Sequence, residues 1–181
     1  MLGKIVIISG SPGTGKTSIS KKMAENPSNE LAVHIHTDDF YQYIRKGYIA
    51  PWENESGNQN ETVIEVAAAS AERYFVGGYE VYLDGTIGPW FIEPWIDIAK
   101  KGIDVRYIIL RPDEQTTVAR ALNRKQQSFF PLSHEIVKAI WHSFTNLSVY
   151  ETHAIDTTTQ TIDESVAAIQ KMLLEGAFRI A

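Results

Sequence analysis

The chain has 181 residues, enough for a single domain with small insertions. Its 22 acids against 17 bases give a net charge of −5 with no basic arm, so duplex nucleic acid is not an expected partner; the lack of cysteine excludes disulfides, thiolate metal sites and thiol nucleophiles. No apolar run reaches the length of a membrane span, and Met1 leads directly into an apolar strand with only Lys4 charged, so no membrane association and a cytoplasmic location are expected.

Strand and helix signals alternate along the chain. Residues 4–9 read as a first strand, followed by Gly10-Ser-Pro-Gly-Thr-Gly-Lys-Thr17 and a helix over 16–25. That run fits GxxxxGK[ST], the phosphate-binding loop, in the strand–loop–helix setting the pattern requires. The glycines let the backbone curl so that successive N–H groups face phosphate oxygens, and the helix start favours the same anion. Gly10, Ser11, Pro12, Gly13, Thr14, Gly15, Lys16, Thr17 and Ser18 are therefore the expected nucleotide-binding residues. Lys16 reaches the β- and γ-phosphates, and the Thr17 hydroxyl holds Mg²⁺. The expected ligands are ATP and Mg²⁺; no guanine-recognition motif is seen, although GTP stays open.

Residues 31–36 read as the second strand and 39–46 as a short helix. A polar loop follows over 50–59, then a helix over 60–76 with apolar residues at helical spacing, capped by Asn60 and stopped at Gly77-Gly78. Residues 80–84 are the third strand, 85–90 a loop, and 92–101 a helix with Pro94 in its first turn. The fourth strand spans 105–110, and Asp113 opens a helix to about residue 125. After a break containing Pro131, Ser133 caps a helix expected to run through Tyr150. Residues 153–156 form a short fifth strand. Thr161-Ile-Asp-Glu164 is a capping box for a last helix, closed by Gly176. Five strands alternating with helices predict an α/β fold, a parallel sheet covered on both faces, with ligands at the carboxyl ends of the strands.

Four features stand at those ends. Asp38 and Asp39 follow the second strand; one acid can orient an acceptor hydroxyl while the other caps a helix, and Asp39 is favoured as the catalytic one. Asp84 ends the third strand, either as a water-mediated Mg²⁺ ligand beside Thr17 or as a turn aspartate before Gly85. Arg120 and Arg124 share one helix face, suited to adenine stacking and phosphate neutralisation or to a solvated surface. Gly85, Thr86 and Trp90, with Trp95 and Trp52, offer flexible backbone and aromatic walls for an acceptor, with core packing as the other reading. His34 and His36 alternate on one face of the second strand and read as satisfied sheet histidines.

Together these residues resemble the small P-loop kinases: shikimate kinase, gluconate kinase, chloramphenicol phosphotransferase and the nucleoside monophosphate kinases. The resemblance rests on Gly10 to Thr17, on Thr37-Asp-Asp-Phe-Tyr41, and on Val118-Ala-Arg-Ala-Leu-Asn-Arg124. It implies a P-loop NTPase fold with sheet order 2-3-1-4-5 and a short lid over about 124–134. It also implies Arg120 against adenine and Arg124 near the phosphates. Leu83-Asp-Gly-Thr86 begins like the Asp-Gly-Phe-Pro-Arg segment of adenylate kinases, but no arginine follows, and the helix after the lid also has none. A small hydroxyl-bearing acceptor such as a sugar acid, a nucleoside or an antibiotic is thus favoured over a nucleoside monophosphate. A nucleoside monophosphate kinase of cytidylate type and a non-catalytic nucleotide-binding module are the alternatives. The sequence carries no signal of oligomeric state.

Overall fold

A computed structural model describes residues 3–123 and 131–180. Five parallel strands form one sheet: β1 (Ile5–Ser9), β2 (Ala32–His36), β3 (Glu80–Gly85), β4 (Val105–Leu110) and β5 (Ala154–Ile155). Their order is β2-β3-β1-β4-β5, as the resemblance implied. The central strands β1, β3 and β4 are buried at every position. Both faces of such a sheet are covered, which is why these strands read as apolar runs without alternation.

The helices are α1 (Lys16–Glu25), α2 (Thr37–Gln42), α3 (Gly57–Val76), α4 (Glu93–Lys100), α5 (Glu114–Leu122), α6 (His134–Ser143) and α7 (Ile162–Leu174). On one face of the sheet, Ile5, Ile7, Leu83 and Tyr107 pack with Ala67 and Ala71 of α3 and Trp95 of α4. On the other, Val6, Ile8 and Ile108 pack with Ile19 and Met23 of α1 and Ile169 of α7. The expected caps form at Asp113, whose side chain accepts from Thr116 N at 2.6 Å, and at Thr161, which makes a complete capping box with Glu164.

Three expectations are corrected. The helix expected over 39–46 instead begins at Thr37, directly off β2, with His36 in the N-cap position. The helix expected from Asn60 begins at Gly57; Asn60 lies within its first turn, buried. Its amide donates to Pro51 O at 2.8 Å and Ser56 Oγ at 2.9 Å, and its oxygen accepts from the Tyr41 hydroxyl at 2.9 Å. The helix expected to run through Tyr150 stops at Ser143: Phe144 turns into the core, and Ser148 adopts φ 52°, which no α-helix accommodates.

At the amino end of the sheet, Glu80 is fully buried. Lys4 Nζ lies 2.5 Å from its carboxylate, and Ser28 N, Asn29 N and the Tyr82 hydroxyl donate to it at 3.0, 3.1 and 3.0 Å. Burial acts to raise this carboxyl, but the bonds from Lys4 and Ser28 outweigh it and hold it below the usual range. The cluster ties the α1–β2 loop to β3. Glu80→Ala is expected to cost about 3 kcal/mol in chemical denaturation, since it strands buried donors. Because the folded carboxyl is depressed, the stabilisation is complete above the unfolded-state value and is lost as pH falls through the folded one. In wild type the acid side of the stability profile should therefore be steeper than in Glu80→Ala; superposable profiles would contradict this role.

Candidate functional site

The loop between β1 and α1 is shaped by glycines at positive φ: Gly10 at 139°, Gly13 at 93° and Gly15 at 92°. Space excludes a side chain as firmly as conformation does. A Cβ on Gly10 would lie 2.4 Å from Leu110 O, and one on Gly13 would lie 2.3 Å from Thr117 O. The loop is thus pressed between β4 and α5, its curl fixed by contact. Lys16 is buried and its ammonium donates to Ser11 O at 3.0 Å, bridging the two ends of the loop. The Ser11 hydroxyl is buried with no hydrogen-bond partner among the described residues. A glycine-curled backbone leading into a helix start, a lysine across it and an unsatisfied hydroxyl suit an oligophosphate.

Asp84 is fully buried at the end of β3. Its Oδ2 accepts from the Thr17 hydroxyl at 2.7 Å and from His36 Nδ1 at 2.8 Å, and its Oδ1 accepts from His34 Nε2 at 2.6 Å. Burial pushes this carboxyl up, but the bonds from His34, His36 and Thr17 overcome that and hold it far below the usual range. Asp84 is therefore ionised at neutral pH. The Thr17 hydroxyl donates its hydrogen bond to Asp84, which leaves its oxygen lone pairs for a cation. A hydroxyl and a fixed carboxylate beside a phosphate cradle are hard oxygen ligands, and they fit Mg²⁺.

Next to the loop a cleft of about 950 Å³, its open mouth included, is lined by Lys16, Thr17, His36, Asp38, Trp52, Thr86 and Trp90, among others. Thr37, Asp38 and Tyr41 of α2 line it together with Thr86 just after β3, and Trp52, Trp90 and Phe91 give it an aromatic wall. Asp38, not Asp39, lines it. Asp39 is exposed and accepts from Gln42 Nε2 at 3.0 Å. Burial raises the Asp38 carboxyl above its usual value, a rise that the charges of His36 and Lys16 only partly oppose. His36 is raised: burial lowers it, but the bond to Asp84 and the charges of Asp84, Asp38 and Asp39 prevail.

Thr86 and Trp90 line the cleft as expected, while Gly85 supports it from behind: a Cβ there would lie 2.0 Å from Thr37 Oγ1. Trp95 is fully buried in the core and forms no part of the wall. Arg120 is half-buried and donates to Thr157 O and Thr158 O at 3.3 and 3.0 Å, beside the loop after β5. Ser18 is exposed on α1. Arg124 and most of the 124–134 segment lie outside the described residues. The sequence reading gave no cleft-lining role to Asn60 or Tyr41, which both line the cleft and bond to each other, and it missed the joint grip of His34 and His36 on Asp84. The only signal for the latter was the two-residue spacing on one strand face.

The zeta toxin family description matches residues 3–173, nearly the whole chain. The chain belongs to the zeta toxin family. No curated protein matches it. Solved structures share its fold at low identity. The tunicamycin resistance protein of Deinococcus radiodurans is 15% identical, with TM-score 0.68 over 94% of this chain and 95% of that one. A shikimate kinase from Acinetobacter baumannii is 16% identical, with TM-score 0.64 over 97% and 95%. A gluconokinase from Sinorhizobium meliloti 1021 is 14% identical, with TM-score 0.62 over 97% and 98%. The fold of this family member is thus that of the small P-loop kinases. Among the described residues, no helix is long and apolar enough to cross a membrane.

Gly85→Ala should force Thr37, and with it the start of α2, away from β3. A loss of about 1–3 kcal/mol in thermal unfolding is expected from such overpacking. A wild-type midpoint would show that the contact yields without cost.

Proposed function

We propose that this chain is an ATP-dependent, Mg²⁺-assisted phosphotransferase acting on a small hydroxyl-bearing acceptor. The observation that carries the reading is that Lys16 and Thr17 of the phosphate loop and Asp38 line one cleft, with Asp84 buried behind Thr17 and bonded to its hydroxyl. The loop amides and Lys16 would bind the triphosphate and orient its terminal phosphoryl group. Thr17 would hold Mg²⁺ directly and Asp84 would hold it through water; bound there, the ion neutralises charge on the phosphate oxygens.

Asp38 would accept the acceptor's hydroxyl proton as its oxygen bonds to phosphorus and the bond to the departing ADP breaks. Burial suits it to this role by making it a stronger base than an exposed aspartate. Arg120 would sit against adenine near Thr157 and Thr158. Arg124 would neutralise charge on the transferred group.

The cleft also bears on the acceptor. Among the described residues, Lys16 is the only lysine or arginine lining it, and Trp52, Trp90 and Phe91 give it an aromatic side. That favours an uncharged, ring-bearing or carbon-rich alcohol over a nucleoside monophosphate, whose phosphate would need its own cation. The fold shared with a gluconokinase and a shikimate kinase supports a small acceptor.

The test is ADP release screened over nucleosides, sugar acids, antibiotics and nucleoside monophosphates. With the acceptor that stimulates it, Asp38→Asn should lower turnover by about 10²–10⁴-fold, while Asp39→Asn stays near wild type. Because the Asp38 carboxyl is raised, it is protonated at a higher pH than an ordinary aspartate. The acid limb of the rate profile should be displaced upward accordingly, and should vanish in Asp38→Asn. Wild-type turnover in that variant would remove Asp38 from the mechanism. If no acceptor stimulates turnover, and a protein partner binds one nucleotide state only, the chain is a regulatory module instead.

A further inference from the structure

Two histidines stand outside the transfer chemistry, yet both bond the same carboxylate. In the β2–β3 register, His36 pairs with Asp84 and His34 with Tyr82, so His34 and His36 lie on one face, at the level of Asp84 and two residues before it. Each takes a different oxygen through a different ring nitrogen: His34 uses Nε2 on Oδ1, and His36 uses Nδ1 on Oδ2. A carboxylate held at one oxygen can still turn about its last side-chain bond, a soft and roughly two-fold torsion. Held at both oxygens from the adjacent strand, Asp84 has its plane fixed. That plane in turn fixes the Thr17 hydroxyl, whose bond to Oδ2 points its proton inward. His36 also reaches towards the acceptor side: its Nε2 lies 3.5 Å from Asp38 Oδ2.

We infer that His34 and His36 are positioning residues for the nucleotide-bound metal: they orient Asp84, and through it Thr17, for the cation. This rests on the proposed phosphotransferase reading, because the cation arrives with the nucleotide. The geometry does not make the histidines metal ligands, since the nitrogens facing Asp84 are already bonded to it. Among the described residues, no group of three or more His, Cys, Asp or Glu side chains is arranged to hold a metal ion by itself.

The use of opposite ring nitrogens gives a crossed test. A glutamine amide nitrogen sits near the place of histidine Nε2, and an asparagine amide nitrogen near that of Nδ1. His34→Gln and His36→Asn should therefore keep the bond to Asp84, and His34→Asn and His36→Gln should lose it. The readout is Mn²⁺ affinity of the protein–ADP complex, from free Mn²⁺ measured by electron paramagnetic resonance. ADP affinity in excess EDTA, from calorimetry, serves as the metal-free reference.

The expected result is a loss of about 10–100-fold in Mn²⁺ affinity for His34→Asn and His36→Gln. His34→Gln and His36→Asn should stay within a few-fold of wild type, and metal-free ADP affinity should be unchanged in all four. Equal Mn²⁺ affinity across the set would overturn the inference. So would a parallel fall of Mn²⁺ and metal-free ADP affinity, which would mark a merely structural role. Wild-type protein that binds no ADP at all would overturn this inference together with the phosphotransferase reading; normal ADP binding with indifferent histidines overturns this inference alone.

Discussion

The site depends on one tight contact: the loop backbone at Gly10 and Gly13 against the carbonyls of Leu110 and Thr117. Neither position has room for a methyl group, and both have positive φ. The loop is therefore packed tightly against β4 and α5. From that fixed curl, Lys16 spans to Ser11 and Thr17 points its hydroxyl at β3.

Around that cradle, two aspartates are driven in opposite directions by their surroundings. Asp84 has no exposed surface but three hydrogen-bond donors, and stays ionised. Asp38 is half-buried against an aromatic cleft, His36 Nε2 lies 3.5 Å from its carboxylate, and its carboxyl is raised. Under the proposed reading the separation would sort their roles: a permanently charged group suits a cation, and a stronger base suits a hydroxyl proton. His36 lies between them and bonds the first more closely than the second.

Much of this was legible in the sequence because the signals were local. Gly10 to Thr17 specifies its own strand–loop–helix setting, and Asp113 and Thr161 mark helix starts that the structure reproduces. The assignment between Asp38 and Asp39 was not legible. It depends on the helix starting at Thr37 instead of Asp39, and each residue of offset turns a side chain by about 100° around the helix axis. Reading an aspartate as the cap placed that start too late; in the structure His36 occupies the N-cap position. The end of α6 at Ser143 was hidden because the positive φ of Ser148 leaves no mark in residue type. The histidine grip on Asp84 depends on strand order and register, which join residues 48 and 50 positions apart. Trp95 and Trp90 are alike as letters, and only packing sends one to the core and the other to the cleft.

The central claim is that main-chain amides and Lys16 of the opening loop grip a triphosphate. Calorimetric titration of the purified chain with ATP and magnesium tests it most directly, with Lys16→Ala as the control. The account predicts saturable heat at one site per chain in wild type, and markedly weaker binding in a Lys16→Ala protein that unfolds as cooperatively as wild type. No heat from wild-type protein shown to be folded, or equal affinity in the two proteins, would contradict it.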